Sequence, residues 1–329
     1  MLAELTLERV REAAERIRPH VVRTPLLSVR RGEDCELLLK PESLQPTGAF
    51  KLRGAVNKLA TLPGDCPGVV AHSSGNHAQA VAWGARLFDL PAVVVMPNDA
   101  PPIKTLRTAG AGAEVVVVGP DSDERAGRAR QLATERGWVL IEPYDDVEVA
   151  AGQGTTALEM LEDCEVLDRF YAPISGGGLM AGCAVAVKAL CPQAEIIGCE
   201  PEDAGDTRLS LAAGKRCTIP PPTSIADGLR VRRPGEMTWP VVKKWVDRVE
   251  LVSDDEMLDA MAWALHTVRL VLEPSGAASL ALALREGSGR CGVVLSGGNA
   301  GEDHLREAFD RARVLAEADD RAQGGPGLG

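Results

Sequence analysis

Gly68-Val69-Val70-Ala71-His72-Ser73-Ser74-Gly75-Asn76-His77 reads as a strand that enters a turn and leaves it as a helix. Residues 69–71 are an apolar, β-branched run, the Ser-Ser-Gly-Asn segment is a turn, and 77–88 continue at helical spacing. The alternation repeats downstream. Residues 92–96 read as a strand, 101–109 as a helix, 113–118 as a strand, 123–136 as a helix and 138–141 as a strand. Such valine-rich runs, flanked by turns, predict a parallel sheet covered on both faces. Residues 68–144 are therefore expected to form one small four-stranded lobe.

Further out, the same grammar predicts helix 152–162, strand 170–174, helix 179–190 and strand 195–199. A looser, proline-rich stretch (220–233) leads to strand 248–252, helices 254–270 and 275–284, and a last strand at 291–295. On the N-terminal side Thr6 can cap a helix over 7–17, whose Val10, Ala13, Ala14 and Ile17 share one face. Residues 24–27 are extended around Pro25, and 35–40 read as a short strand. The fold class expected is α/β, with mostly parallel sheets in two lobes and a cleft between them. Residues 1–67 and 145–320 make the large lobe, into which 68–144 are inserted. Residues 321–329, rich in Gly and Pro, are expected to be disordered.

Between the first strands lies Ser43-Leu44-Gln45-Pro46-Thr47-Gly48-Ala49-Phe50-Lys51-Leu52-Arg53-Gly54-Ala55. The turn signal at 46–48 breaks into a helix, and Lys51 falls in its first turn. Cationic charge at a helix N-terminus opposes the macrodipole. A nucleophilic lysine needs such a setting, because desolvation or nearby positive charge lowers the amine pKa. Phe50 could offer a flat face to an aromatic cofactor. A solvated lysine beside a core aromatic fits this segment equally well.

Three other segments carry chemistry. Ser175-Gly176-Gly177-Gly178, between a strand and a helix, can aim several backbone N–H groups at an anion. Ser296-Gly297-Gly298-Asn299 follows the last strand. Glu200-Pro201-Glu202-Asp203-Ala204-Gly205-Asp206 gathers hard oxygen ligands suited to Mg²⁺ or Ca²⁺, or else forms an acidic surface loop. Gly152-Gln153-Gly154-Thr155 reads as a further turn, but it lacks the full dinucleotide fingerprint, which weakens a dehydrogenase reading.

The chain has 329 residues, 45% of them hydrophobic, ample for a core of this architecture. Its formal charge of −11 argues against nucleic acid or an anionic membrane as a partner. Eight cysteines are scattered with no C-x-x-C pair, as reduced thiols of a cytoplasmic protein would be. Residues 1–18 are charged and helical, without an apolar signal segment, and no run is long enough to span a bilayer.

Taken in order, the Lys51 segment, the 73–77 turn, the 175–178 loop and the 296–299 loop resemble the fold-type II pyridoxal-phosphate (PLP) enzymes. The branch they resemble most is that of threonine/serine dehydratases and serine racemases. The resemblance runs from about residue 7 to 299. It implies that Lys51 carries PLP, that Phe50 stacks on it, and that Ser175, Gly176, Gly177 and Gly178 hold its phosphate. Many relatives have a first glycine where this chain has Ser175. It further implies that Ser296 meets the pyridine nitrogen, Asn76 the 3-oxygen, and that Gly228 lies close by.

The resemblance gives the substrate carboxylate to Ser73 and Ser74, with His77 and Arg125 as further substrate contacts. His77 reads equally as a packed helix-start histidine, and Arg125 as a solvated helix charge. Ser74 is also where serine racemases place the second proton-exchanging group. Tyr144 departs from the racemase pattern, which has Asn, and favours a lyase. Glu200, the Ala204 carbonyl and Asp206 match the positions that bind Mg²⁺, or Ca²⁺ or Mn²⁺, in the racemase-like branch. The role of Glu273-Pro274-Ser275-Gly276 is open. The function implied is β-elimination from L-threonine or L-serine by a homodimer. The alternatives are serine racemisation and dehydration of threo-3-hydroxyaspartate. A non-catalytic PLP- or nucleotide-binding module is opposed by the presence of both Lys51 and Ser296.

Overall fold

The computed structural model describes residues 4–73, 75–100 and 102–322; Ser74 and residues 323–329 lie outside them. The chain runs through α1 (Leu7–Ile17), β1 (Leu27–Arg31), β2 (Cys35–Pro41), α2 (Lys51–Ala60), β3 (Val69–His72) and α3 (Asn76–Leu87). It continues with β4 (Ala92–Pro97), α4 (Pro102–Gly110), β5 (Glu114–Val118), α5 (Ser122–Arg136), β6 (Val139–Ile141) and α6 (Val147–Asp163). Then come β7 (Arg169–Pro173), α7 (Gly178–Leu190), β8 (Glu195–Pro201), α8 (Asp206–Ala213), α9 (Thr238–Trp245) and β9 (Arg248–Val252). The last elements are α10 (Asp254–Trp263), α11 (Pro274–Glu286), β10 (Gly289–Leu295) and α12 (Glu302–Ala322).

Two sheets result. The larger has six strands in the order β1-β2-β10-β7-β8-β9, parallel throughout except for the β1–β2 pair. The smaller, β5-β4-β3-β6, is wholly parallel and is built from residues between 69 and 141. Their central strands are buried on both faces, which is why β3, β4, β7 and β10 are apolar at successive positions. In the large sheet Leu38, Phe170, Ala172, Ile196 and Val294 face α6 and α7. Their neighbours Leu37, Leu39, Tyr171, Ile197, Val293 and Leu295 face α10 and α11. In the small sheet Val69, Ala71 and Val94 pack with α3, while Val70, Val93 and Val95 pack with α5.

Several expectations need correcting. Residues 152–155 lie within α6, as the helix expected over 152–162 has it, and the reading of them as a turn fails. Their glycines serve helix packing: a Cβ on Gly152 would sit 2.5 Å from the Arg53 carbonyl of α2, and one on Gly154 2.6 Å from the Gly182 carbonyl of α7. The helix expected over 254–270 switches to a π-helical turn at Ala264–Val268 and ends at Arg269, whose φ is +60°. Helix α12 was not anticipated. It reaches Ala322, so its last two residues fall inside the segment expected to be disordered.

The strand ends position the site. The carboxyl ends of β3 and β10 lead directly into Ser73 and Ser296, and those of β6 and β7 reach Pro143 and Ser175 two residues on. In open α/β sheets this edge is where ligands bind. Helix α2, which packs on both α6 and α3, starts at the same place with Lys51.

The tightest helix contact offers a test. A Cβ on Gly182 would lie 2.1 Å from the Ala150 carbonyl and 2.7 Å from the Gly154 nitrogen, both backbone atoms that cannot rotate away. Gly182→Ala is expected to cost about 1–3 kcal/mol, measured by chemical denaturation. Gly127→Ala, on exposed α5 with open space around it, should instead stabilise by up to about 1 kcal/mol.

Candidate active site

Where the strand ends converge there is a cavity of about 510 Å³, lined among others by Lys51, Asn76, Tyr144, Gly176, Ser275 and Ser296. Lys51 opens α2 with no acidic residue in the first turn and no side-chain cap. Its Nζ donates to the Pro143 carbonyl at 2.7 Å and lies 5.2 Å from the centre of the Phe50 ring. Among the described residues no carboxylate pairs with it. Loss of solvent lowers the amine from its ordinary value of 10.5 to about 8.

The segment before Lys51 is sewn to the loop after β10. The Phe50 N–H donates to the Ser296 carbonyl at 3.0 Å, Ala49 bridges Gly297, and the Gly298 N–H donates to the Gly48 carbonyl at 2.9 Å. Gly48 takes a φ of +73°, which only glycine adopts cheaply. Ser296 is nearly buried, and its Oγ donates to the Ser275 carbonyl at 3.4 Å. Ser275 Oγ accepts the Gly228 N–H at 3.0 Å, which brings Gly228 into the same wall.

The 175–178 loop joins β7 to α7, and no side chain caps the first turn of α7. Its glycines are required by their neighbours. A Cβ on Gly176 would lie 2.3 Å from the Tyr144 ring, and one on Gly178 2.6 Å from Gln153 Oε1. Burial raises the Tyr144 phenol to about 12, so it stays neutral. The loop is thus a cradle of bare backbone N–H groups beside an unpaired amine, which fits a phosphorylated aldehyde.

On the opposite wall Ser73 Oγ accepts the Gly75 N–H at 3.0 Å. Asn76 donates through Nδ2 to Glu273 Oε1 at 2.5 Å and accepts from Asn299 Nδ2 at 2.9 Å. Glu273, whose role the sequence leaves open, is buried and keeps one oxygen unpartnered. Burial, then the charge of Asp227, raises its carboxyl to about 7. His77 is only 2% exposed and donates from Nε2 to the Ile141 carbonyl at 2.9 Å. Its remaining nitrogen has no partner, and burial followed by the charge of Lys51 lowers its pKa to about 3. It is a packed, neutral imidazole in the cavity wall. Arg125 is half-buried rather than fully solvated; it also lines the cavity, and its Nε is unpartnered.

Sequence reasoning missed two participants. Lys104 on α4 pairs with Asp227 at 2.5 Å, both in the cavity wall. Thr238 at the start of α9 donates from Oγ1 to the Gly176 carbonyl at 2.6 Å. Neither stands in a motif, and each meets its partner only through tertiary contact.

Glu200, Ala204 and Asp206 cluster outside the cavity. Glu200 accepts the Thr207 and Arg208 N–H groups, both at 2.9 Å, which caps α8. Both oxygens of buried Asp206 lack a partner. Burial and, for Asp206, the neighbouring Glu200 raise both carboxyls above their ordinary range. Among the described residues no group of three or more His, Cys, Asp or Glu side chains could hold a metal. This cluster would therefore have to enlist the carbonyl. Among the described residues no helix is long and apolar enough to cross a membrane.

This arrangement is that of a PLP enzyme, and the chain belongs to that family: a family model described as pyridoxal-phosphate dependent enzyme matches residues 17–297. The chain is 40% identical over 299 residues to the L-threo-3-hydroxyaspartate ammonia-lyase of Saccharomyces cerevisiae, covering 88% of this chain and 92% of that one. It is 40% identical over 304 residues to a serine racemase of Oryza sativa subsp. indica, covering 88% and 89%. Its fold is similar to that of a solved T.th. threonine deaminase, with a TM-score of 0.86, 42% identity and coverage of 90% and 99%. The protein is thus a PLP-dependent enzyme of the lyase and racemase branch.

The amine offers a direct check. In the PLP-free protein, acylation of Lys51 by excess acetic anhydride, followed by mass spectrometry, should rise with pH and level off above about 8. Only the neutral amine reacts, so a lysine at the ordinary 10.5 would keep accelerating through that range. A Lys51 profile still rising at pH 10 would contradict the desolvated amine.

Proposed function

We propose that this protein is an L-threonine/L-serine ammonia-lyase, releasing a 2-oxo acid and ammonia by β-elimination. The observation that carries it is the Lys51 amine, half-buried and without an acid partner in the cavity that the glycine loop and Ser296 also line. In this reading Lys51 holds the cofactor covalently, Phe50 stacks on it, and the Ser175–Gly178 backbone takes the phosphate. Ser296 takes the pyridine nitrogen, Asn76 the 3-oxygen, and Gly228 lies alongside. PLP, when bound, supplies an electron sink for charge developing at the substrate Cα. Lys51, freed by the incoming amino acid, accepts the α-proton at Nζ, a role suited to an amine near pKa 8. Ser296 offers a neutral hydroxyl where an aspartate would hold a permanent charge, which suits elimination better than transamination. Ser73, with Ser74 by sequence alone, binds the substrate carboxylate, while His77 and Arg125 complete the wall.

A second reading, 3-hydroxyaspartate as substrate, draws support from the cations of the cavity. Arg125, Arg230 and Arg233 line it, and none of them has a carboxylate within ion-pair distance among the described residues. A substrate with a second carboxylate would satisfy that charge. Racemisation rests on Ser74 and is disfavoured by Tyr144.

The test is a panel of L-serine, L-threonine, D-serine and 3-hydroxyaspartate with the PLP-loaded protein and Mg²⁺. Release of 2-oxo acid and the chirality of the remaining amino acid are followed together. Oxo acid from L-serine or L-threonine without inversion is expected, and Lys51→Ala should lose at least about a thousandfold in kcat. Preference for 3-hydroxyaspartate would move the assignment to the second reading, and inversion outpacing elimination would make it a racemase.

The reading also includes a divalent cation, Mg²⁺ or Ca²⁺ or Mn²⁺, held by Glu200, Asp206 and the Ala204 carbonyl. The two orphaned oxygens of Asp206 support it. Added at a hundred times its Kd, Mg²⁺ should stabilise the fold by about 2.7 kcal/mol, read as a rise in Tm. Asp206→Asn should abolish that rise. A Tm indifferent to Mg²⁺, Ca²⁺ and Mn²⁺ would remove the metal from the reading. The homodimer is carried by the resemblance. The cytoplasmic placement is supported by eight cysteines that are all free thiols.

A further inference from the structure

The 175–178 loop has an anchor that no sequence motif contains. The Gly176 carbonyl accepts two hydrogen bonds, from Thr238 Oγ1 at 2.6 Å and from the Gly235 N–H at 3.1 Å. Thr238 is fully buried, and neither it nor Gly235 lines the cavity. The carbonyl is therefore tied down on the side away from the cavity. The peptide joining Gly176 to Gly177 is planar and trans, so its N–H points opposite to its C=O. Holding the carbonyl outward turns the Gly177 N–H inward. Gly177 takes up the resulting backbone turn at φ +94°, and a Cβ there would lie 2.8 Å from Thr238 Oγ1.

The segment carrying Thr238 is itself fixed. Asp145 accepts the Glu236 N–H at 2.9 Å and the Met237 N–H at 2.8 Å. A Cβ on Gly235 would lie 2.4 Å from Asp145 Oδ1 and 2.7 Å from Thr238 Oγ1, so only glycine fits beneath the pair. Asp145 directly follows Tyr144, whose ring covers the other side of Gly176. The loop is clamped between Tyr144 on one face and Thr238 on the other.

We propose that Thr238 is a positioning residue for the anion-holding loop: its hydroxyl fixes the orientation of the Gly176–Gly177 peptide so that an N–H, and not a carbonyl oxygen, faces the phosphate of the cofactor. Without the hydroxyl the peptide can rotate, and a carbonyl dipole then opposes the phosphate instead of binding it. The inference rests on the reading of 175–178 as the phosphate loop.

Comparing PLP with pyridoxal, which keeps the aldehyde and ring but lacks the phosphate, separates this role from general structural damage. Apoprotein is titrated with each, following the absorbance of the lysine adduct, and the affinity ratio is taken. Thr238→Val should lower PLP affinity roughly tenfold, the worth of about one buried hydrogen bond, and leave pyridoxal affinity within about twofold. Thr238→Ser, which retains the hydroxyl, should restore the ratio. Thr238→Ala, with no branch to press on Gly177, should repeat the selective loss if the valine does not fold. A wild-type ratio in the Val and Ala variants, or equal loss for both ligands, overturns the proposal. A wild-type protein that does not prefer PLP over pyridoxal overturns the phosphate-loop reading itself, and Thr238 with it.

Discussion

Arg53 is a fully buried cation whose planar fork is held chiefly by two carboxylates, with Thr155 Oγ1 taking a further bond from Nη1. Nε and Nη2 donate to Glu42 at 2.7 and 2.8 Å, while Nη1 and Nη2 donate to Glu159 at 2.7 and 2.8 Å. Lys40, also fully buried, adds a second cation 2.7 Å from Glu159, so the cluster is neutral. Such a group gains little over an apolar core when whole, but removing one member strands a buried charge at roughly 3–5 kcal/mol. Its value here is geometric. Glu42 follows β2, Glu159 lies on α6, and Arg53 sits in the first turn of α2. One guanidinium therefore fixes where α2 begins and how it is rotated. Two residues apart on a helix is about 200° of rotation, so Arg53 facing the core sends Lys51 the other way, into the cavity.

The rotation of α2 then governs the remainder of the site. Because Lys51 opens the helix, the chain before it is still a turn with its backbone groups free to pair, and it is this segment that pairs with the 296–299 loop. Because α2 packs on both α6 and α3, both sheets deliver their carboxyl-end loops to the same amine. The close approach needs glycines at the crossings: Gly54 against the Val149 carbonyl, and Gly84 against Leu59 of α2. Site geometry and core packing are consequences of the same helix placement.

The alternation of strands and helices was legible because the central strands of both sheets are buried on both faces, which writes β-branched runs plainly into the sequence. The misreading of 152–155 has a definite cause. Glycine marks a turn when the chain needs positive φ and a helix crossing when a neighbour needs the space, and the sequence does not say which. Thr155 shows the outcome, since its hydroxyl donates to the Gly152 carbonyl within α6 and accepts from Arg53. Motif residues such as Ser296 and Gly176 were legible because each lies at the end of a strand. Thr238, Asp145 and Lys104 were not, since their partners lie far away in sequence. In the acidic run 200–206, Asp203, which was not among the expected metal positions, accepts from the N–H groups of Thr223 and Ser224.

Lys40 and Lys104 are buried and Lys51 is half-buried, and their partners separate the three without reference to any family. Lys40 is 2.7 Å from Glu159, and Lys104 is 2.5 Å from Asp227, so each ammonium is matched by a carboxylate. Lys51 has only a carbonyl oxygen, a dipole with no net charge to hold the proton. A desolvated amine in that position sits near the point where proton and lone pair are balanced, and a small change in its surroundings moves it either way. An acid beside it would balance its charge, as Glu159 and Asp227 do for the other two. Leaving it unpaired makes sense only if the amine must react.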